Sequence, residues 1–309
     1  MEANKDVISD LLMKHSRDIN QLLESDKAKA RNAIRSLAKL LDSKELGSVE
    51  KCFFFEHHVL KNFLVVVGHK SDSVRETCVA FLDVLIGLCS QNGIQFNNDT
   101  MDYLIAKVCS RVDSKQFAEN VEEIRLEIAK LLVKMVEALA NSVIKNMQTI
   151  QNAVLCLLGD KFADVKRQTS VLIIRMCELY PKEFCLNVKP VLFALLRNCR
   201  HSHSRVRKDS SLALKYLIQL PSVGDHMEEM FSCLYEMQND KNKNVVQHSY
   251  ECIGLCLNRY DLDYLKQYED KMILFMLNGL VSDDTRTLCT DYLDTYSQRR
   301  KKINEDFNI

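Results

Sequence analysis

Three potential metal ligands fall within five residues at Cys199-Arg-His201-Ser-His203. A structural zinc takes four ligands, in spacings such as CxxC followed at a distance by HxxxH. No second cluster of that kind stands elsewhere in the 309 residues, so the stretch reads as an inter-helix turn with exposed histidines. Cys252 and Cys256 lie one helical turn apart but on an apolar stripe, which assigns them to the core. His57 and His58 are adjacent and do not share a helical face. There is no GxSxG, Walker loop or HExxH. No metal, cofactor or catalytic residue is expected.

Basic residues are the other candidates. Lys166 and Arg167, with Arg205, Arg207 and Lys208, would form a positive patch if carried on neighbouring helical units, and Arg299–Lys302 would form another. Such patches suit acidic proteins or phosphates as readily as nucleic acid. Few aromatic residues interleave with them, which weakens a single-strand stacking platform. Charge balance argues the same way, since Lys+Arg and Asp+Glu both number 42 where a nucleic-acid binder is usually basic. For some of these residues a structural reading is the stronger one. Arg75, Arg125, Lys166, Arg207 and Arg286 each follow the residue that starts a helical stripe, Val74, Ile124, Val165, Val206 and Thr285. Turn aspartates Asp72, Asp160, Asp164, Asp240 and Asp283 are placed to pair with the basic residue of a neighbouring unit and tie units in register.

The elements that carry these residues follow one pattern. From Val165 apolar or small residues recur at Thr169, Leu172, Ile173, Met176 and Cys177; from Val206 at Ser210, Ala213, Leu214, Leu217 and Ile218. Offsets of 0, +4, +7, +8, +11 and +12 trace one face of an α-helix. The same ruler fits from Val74, Ile124 and Val245, and more loosely from Ala30 and Thr285. Successive starts are 44, 50, 41, 41, 39 and 40 residues apart. A two-helix repeat of about 40–47 residues is the period of HEAT and armadillo arrays. The fold class expected is all-α, an α-solenoid (right-handed superhelix) of about seven HEAT-type helical hairpins.

Each hairpin should consist of a first helix and the ruler helix after it. First helices are expected at 6–24, 49–67, 100–112, 142–158, 182–199, 222–237 and 261–280, the fifth kinked or split near Pro190. Gln91–Asp99, with Gly93 and three asparagines, reads as a polar loop, and Gly159 as a left-handed helix cap. Residues 1–303 should form one continuous array, with Arg299–Lys302 and the residues beyond, 304–309 above all, frayed. Only three prolines and eight glycines occur, in keeping with helix throughout. The N-terminus has no apolar signal core and no stretch reaches a membrane span, so a soluble, unsecreted chain is expected. Of the twelve cysteines, Cys78, Cys177, Cys252, Cys256 and Cys289 occupy ruler slots and should act as small hydrophobes in a reducing cytosol.

An ordered set of phrases adds a resemblance. Glu122-Glu-Ile-Arg-Leu-Glu-Ile-Ala-Lys-Leu-Leu132 is followed by Asp160-Lys-Phe-Ala-Asp-Val-Lys-Arg167, Tyr180-Pro-Lys-Glu-Phe184, His203-Ser-Arg-Val-Arg207 and Leu255-Cys-Leu-Asn-Arg-Tyr260. Together they resemble the HEAT-repeat dynein axonemal assembly factors, well over hairpins three to seven and loosely over the first two. The resemblance implies a non-catalytic cytoplasmic scaffold for preassembly of outer and inner dynein arms ahead of cilium assembly. It implies axonemal dynein chains and chaperone or co-chaperone assembly factors as partners; from composition no membrane partner is expected, and nucleic acid is the least expected alternative. Members of that family are longer, so this chain is expected to be a fragment or a short relative. Periodicity alone fits other HEAT scaffolds equally, of the phosphatase-regulatory or transport-receptor type, and less well a nucleic-acid-associated one.

Overall fold

Little in this sequence opposes helix, and helix is what forms. The computed structural model describes residues 4–43, 46–92, 97–113 and 119–306, and among them every regular element is helical. Five starts carry a short polar side chain that takes up a first-turn N–H group. Asn4, Asp26, Asn97, Asn242 and Asp261 each accept such a bond.

Two compact units divide the chain, residues 1–175 and 176–309. In the first, α1 (Lys5–Gln21) pairs with α2 (Lys27–Asp42). Next come α3 (Ser48–Phe54), a π-helical turn (Phe55–Val59) and α4 (Leu60–Val66), followed by α5 (Asp72–Asn92). Then α6 (Asn98–Val112) pairs with α7 (Glu122–Ala138). Last are α8 (Ala140–Lys145), α9 (Met147–Leu158) and α10 (Ala163–Leu179), within which the division falls. In the second unit α11 (Pro181–Cys185) and α12 (Lys189–Cys199) precede α13 (Ser204–Leu217). A 3-10 turn (Pro221–His226) and α14 (Met227–Met237) precede α15 (Lys243–Arg259). Finally α16 (Leu262–Leu265) and α17 (Glu269–Gly279) precede α18 (Asp283–Asp306).

Within each unit the hairpins stack as an α-solenoid. Second helices pack on second helices, α2 on α5 on α7, and α13 on α15 on α18. First helices pack on first helices, α6 on α9 and α12 on α14. The ruler positions make these seams. From Val74, Ile124, Val165, Val206 and Val245 every slot is buried. At the two looser matches Ala38, Tyr292 and Leu293 are partly exposed. The small polar residues at +4 are buried too; Thr169 and Ser249 return their hydroxyls to helix carbonyls, Val165 O and Val246 O, both at 2.7 Å. Close approach sets Gly254, where an added Cβ would lie 2.3 Å from the Tyr292 ring of α18. The ruler cysteines are buried as expected, and burial pushes the Cys289 thiol up to about 11.

Several boundaries differ from the sequence reading. The first helices expected at 49–67, 142–158, 222–237 and 261–280 are each interrupted, and the one at 182–199 is split as expected, with Pro190 in the first turn of α12. Apolar periodicity continues across a single bridge-region residue such as Asn146 (φ −101°, ψ 14°), so the pattern does not register the break. Gly159 is right-handed (φ −83°, ψ −5°) rather than a left-handed cap, because its N–H reaches back to Cys156 O and Leu155 O in a tightened last turn. Helix α18 continues to Asp306, and Arg299 is docked rather than frayed. Its guanidinium donates to Leu257 O at 2.7 Å and Tyr260 O at 2.6 Å, taking up carbonyls at the end of α15. Residues 307–309, part of the polar loop at 93–96 and most of 113–119 lie outside the described residues. Among the described residues no helix is long and apolar enough to cross a membrane.

The register predicts a sharp contrast on α10. Ile173 is fully buried, so Ile173→Asp forces an unpaired carboxylate into the seam and should cost upwards of about 4 kcal/mol. Gln168→Asp, at a half-buried position on the same helix, should cost less than about 1 kcal/mol. Equal losses in denaturant titrations would refute the register.

Candidate functional site: arginine staples and a groove between first helices

The basic residue after each ruler start works mainly on the backbone and on the next hairpin. Arg75, Arg125, Arg207 and Arg286 each donate to the carbonyl six residues earlier, that of His69, Glu119, His201 and Leu280, at 2.8–2.9 Å. Three of them also grip a carboxylate of the following hairpin in two-pronged fashion. Arg125 reaches Asp160 at 2.6 and 3.0 Å, Arg207 reaches Asp240 at 2.5 and 3.0 Å, and Arg75 reaches Glu119 at 2.6 and 2.5 Å. Each carboxylate in turn accepts the N–H two residues on, from Phe162, Asn242 and Val121. Burial alone would raise the Glu119 and Asp240 carboxyls, but bonds from Arg75 and Arg111, and from Arg207, hold both below their ordinary values.

Asp160 and Asp240 thus pair with the neighbouring hairpin as expected. Asp72, Asp164 and Asp283 do not: each bonds the basic residue three positions on in its own first turn, Arg75, Arg167 and Arg286. Glu119 was not anticipated because an insertion precedes it and it is a glutamate. A signal exists nonetheless: Glu119, Asp160 and Asp240 all stand five residues before a ruler start.

This geometry redistributes the proposed positive patch. Lys166 is buried and donates to Leu158 O at 2.6 Å, and Arg207 is engaged by Asp240. Arg167 is half-buried beside Asp164, while Arg205 and Lys208 are exposed. Lys166 and Arg167 belong to the first unit and Arg205, Arg207 and Lys208 to the second. The Cys199 stretch separates likewise. His203 is exposed in the turn, whereas Cys199 is buried; a hydrogen bond with Cys233 and burial raise its thiol well above the ordinary value.

Exposed apolar side chains point elsewhere. In the first unit Val65 on α4, Tyr103 on α6 and Ile144 on α8 are exposed; in the second, Tyr235 on α14 and Leu274 and Leu277 on α17. All stand on first helices. Among the described residues the second helices expose comparable side chains only at Val171 and Leu179 of α10. Between α4 and α6 lies a groove of about 920 Å³. Leu60, Leu64 and Val67 form its buried floor, while Val65 and Tyr103, 65% and 56% exposed, form its walls. The π-helical turn places Glu56 at the groove's end while Phe54, Phe55, Val59 and Leu60 all stay in the core.

Comparison with known proteins agrees with this architecture. A family model described as "Dynein axonemal assembly factor 5-like, TPR repeats" matches residues 21–306. Dynein axonemal assembly factor 5 of Xenopus laevis is 23% identical over 308 residues, covering 99% of this chain and 36% of the relative. The Homo sapiens protein of that name is 22% identical over 209 residues, covering 66% of this chain and 24% of the relative. The chain therefore spans about a third or less of the curated relatives' length. Among solved structures, Cex1p superposes with a TM-score of 0.65 at 16% identity, covering 96% of this chain and 56% of Cex1p. A designed armadillo repeat protein superposes with a TM-score of 0.53 at 15% identity, covering 76% of this chain and 96% of the design. These likenesses show the fold.

Two outcomes test the staples. Arg125→Ala leaves Asp160, its side chain 7% exposed, without its guanidinium and should cost about 2–3 kcal/mol in chemical denaturation. Lys130→Ala, which removes a surface pair with Glu127, should change stability by less than about 0.5 kcal/mol. The second outcome concerns pH. Carboxyls with depressed folded values stabilise fully above their unfolded values and lose that contribution as pH falls through the folded ones. The melting temperature should therefore drop below about pH 4, and Glu119→Gln should flatten that acid limb.

Proposed function

The chain belongs to the dynein axonemal assembly factor 5-like family, and from that premise we propose that it acts as a non-catalytic scaffold in the preassembly of axonemal dynein arms. In this reading it holds incompletely assembled dynein chains in the cytoplasm, together with chaperone or co-chaperone factors, before outer and inner arms are delivered to the cilium. What supports a holding role beyond family membership is the placement of apolar surface. Second helices use their apolar face to bind one another, while first helices leave Val65, Tyr103, Tyr235, Leu274 and Leu277 in solvent. Apolar side chains grouped on one class of helix are the kind of surface that meets another protein. The action needs no group transfer: it lowers the free energy of an exposed subunit surface by covering it until the proper partner docks.

Removing the protein from a ciliated cell should leave cilia present but short of dynein arms, with arm subunits unstable or unassembled in the cytoplasm. Electron microscopy of axonemes and native gels of cytoplasmic dynein chains read this directly. The protein itself should stay in the cytoplasmic fraction. Normal arms in the null cell would remove the assembly reading and leave a protein-holding scaffold with other clients.

A further inference from the structure

The groove between α4 and α6 has two chemically unlike ends. Glu56 Oε1 accepts the Asn97 N–H at 3.0 Å and the Thr100 hydroxyl at 3.4 Å, which joins the start of α6 to the π-helical turn just before α4. The two helices therefore run in the same direction along the groove. That end carries Glu56 and Asp99; the far end carries Lys107 and Arg111. Arg111 and Arg75 share Glu119, and Arg75 also meets Asp72, so those charges balance and Lys107 gives the far end its positive charge. At the acidic end Lys145 approaches Asp99 only at 3.5 Å, and Asp99 is 86% exposed. Lys61 lies between the two ends on the α4 side.

The walls decide what form an occupant takes. Both are helices whose backbone groups are bonded internally, so an extended peptide finds no ladder to join. Their side chains recur at helical spacing, Thr100, Tyr103 and Lys107 on one wall and Lys61 and Val65 on the other. Such ridges accept the ridges of a third helix. From Asp99 to Arg111 the wall is about 18 Å long, about three helical turns.

We propose that this groove takes an amphipathic helix of about three turns from a partner polypeptide. Its apolar face lies on Val65 and Tyr103 over the Leu60, Leu64 and Val67 floor. A carboxylate-bearing end meets Lys107 and Arg111, and a basic end meets Glu56 and Asp99. The proposal deepens, and rests on, the reading of the chain as a protein-holding scaffold.

A displayed library of randomised peptides of about 15 residues, panned on the full chain with counter-selection on the Val65→Asp, Tyr103→Asp double variant, tests it. Enriched sequences should carry apolar residues at i, i+3 or i+4, and i+7, with acids gathered at one end and bases at the other. The strongest, made synthetically, should bind the wild type at least about tenfold more tightly than the double variant by fluorescence anisotropy. Lys107→Glu should weaken it, and replacing the peptide's acids with lysines should restore binding to that variant. Failure to enrich any peptide that depends on Val65 and Tyr103 overturns the proposal. So does equal binding to wild type and Lys107→Glu. The exposed wall positions should leave melting unchanged; if the double variant melts early, the charge swap at Lys107 decides alone. Re-expression in a null ciliated cell separates the two readings. If the null lacks arms and the double variant restores them, the groove assignment fails and the scaffold reading stands. Normal arms in the null remove the assembly reading, while the panning result still decides the groove.

Discussion

One guanidinium with three obligations holds successive hairpins in register. Arg125 bonds the Glu119 carbonyl of its own turn and grips both oxygens of Asp160 in the next hairpin, and Asp160 uses an oxygen it shares with the arginine to close its own turn at Phe162. Arg207 and Asp240 repeat the arrangement, as do Arg75 and Glu119. Turns between helices expose polar backbone that burial would leave unsatisfied, and a planar donor with five N–H groups can serve a carbonyl and a carboxylate at once. A lysine lacks that planar two-pronged fork, and where Lys166 takes the same position it donates to the Leu158 carbonyl. Where position +1 is Val246, the turn five residues before the next ruler start carries Leu280 instead of an acid. Donor and acceptor are lost together there, whereas the first step keeps Arg31 at the donor position with His69 in place of the acid.

The staples and the ruler seams consume the second helices. Their apolar slots are buried against each other, their small +4 residues are turned inward, and their first basic residues are committed. What remains for recognition is mostly on the first helices, which leave Val65, Tyr103, Tyr235, Leu274 and Leu277 in solvent. The basic residues after the ruler starts take the structural part expected of them. Lys166 and Arg207, chosen for charge, are structural, whereas Val65 and Tyr103, unremarked in the sequence, face solvent beside an apolar floor. The Cys199 thiol and the turn histidines part company for a similar reason: the last turn of α12 faces the core while the turn after it faces water.

Sequence reading went furthest where one physical term dominates. A seam between second helices demands apolar residues every three or four positions, so Val74, Ile124, Val165, Val206 and Val245 declare their helices and their period without any structure. The ordered phrases from Glu122 to Tyr260 point to the family to which the chain belongs. The turn rule recovered two of the three cross-hairpin acids. It missed Glu119, because an insertion shifts spacing between hairpins while leaving the local distance to Ile124 intact.

Tertiary structure decided what depends on direction rather than periodicity. A break at Asn146, or a π-helical turn at Phe55–Val59, rotates a helix by a fraction of a turn, and the apolar pattern absorbs it because both halves still face the core. Docking of Arg299 onto carbonyls of α15 depends on a neighbour some forty residues away in the chain, which no local composition records. The groove is of the same kind. Its charged residues and its walls, Val65 and Tyr103, look like ordinary helix-surface positions in the sequence. Only the side-by-side placement of α4 and α6 along the groove puts acids at one end, bases at the other and an apolar floor between them. Sequence thus determined which faces must be buried, since burial is a property of each helix. The fold determined which exposed faces meet, since that is a property of pairs.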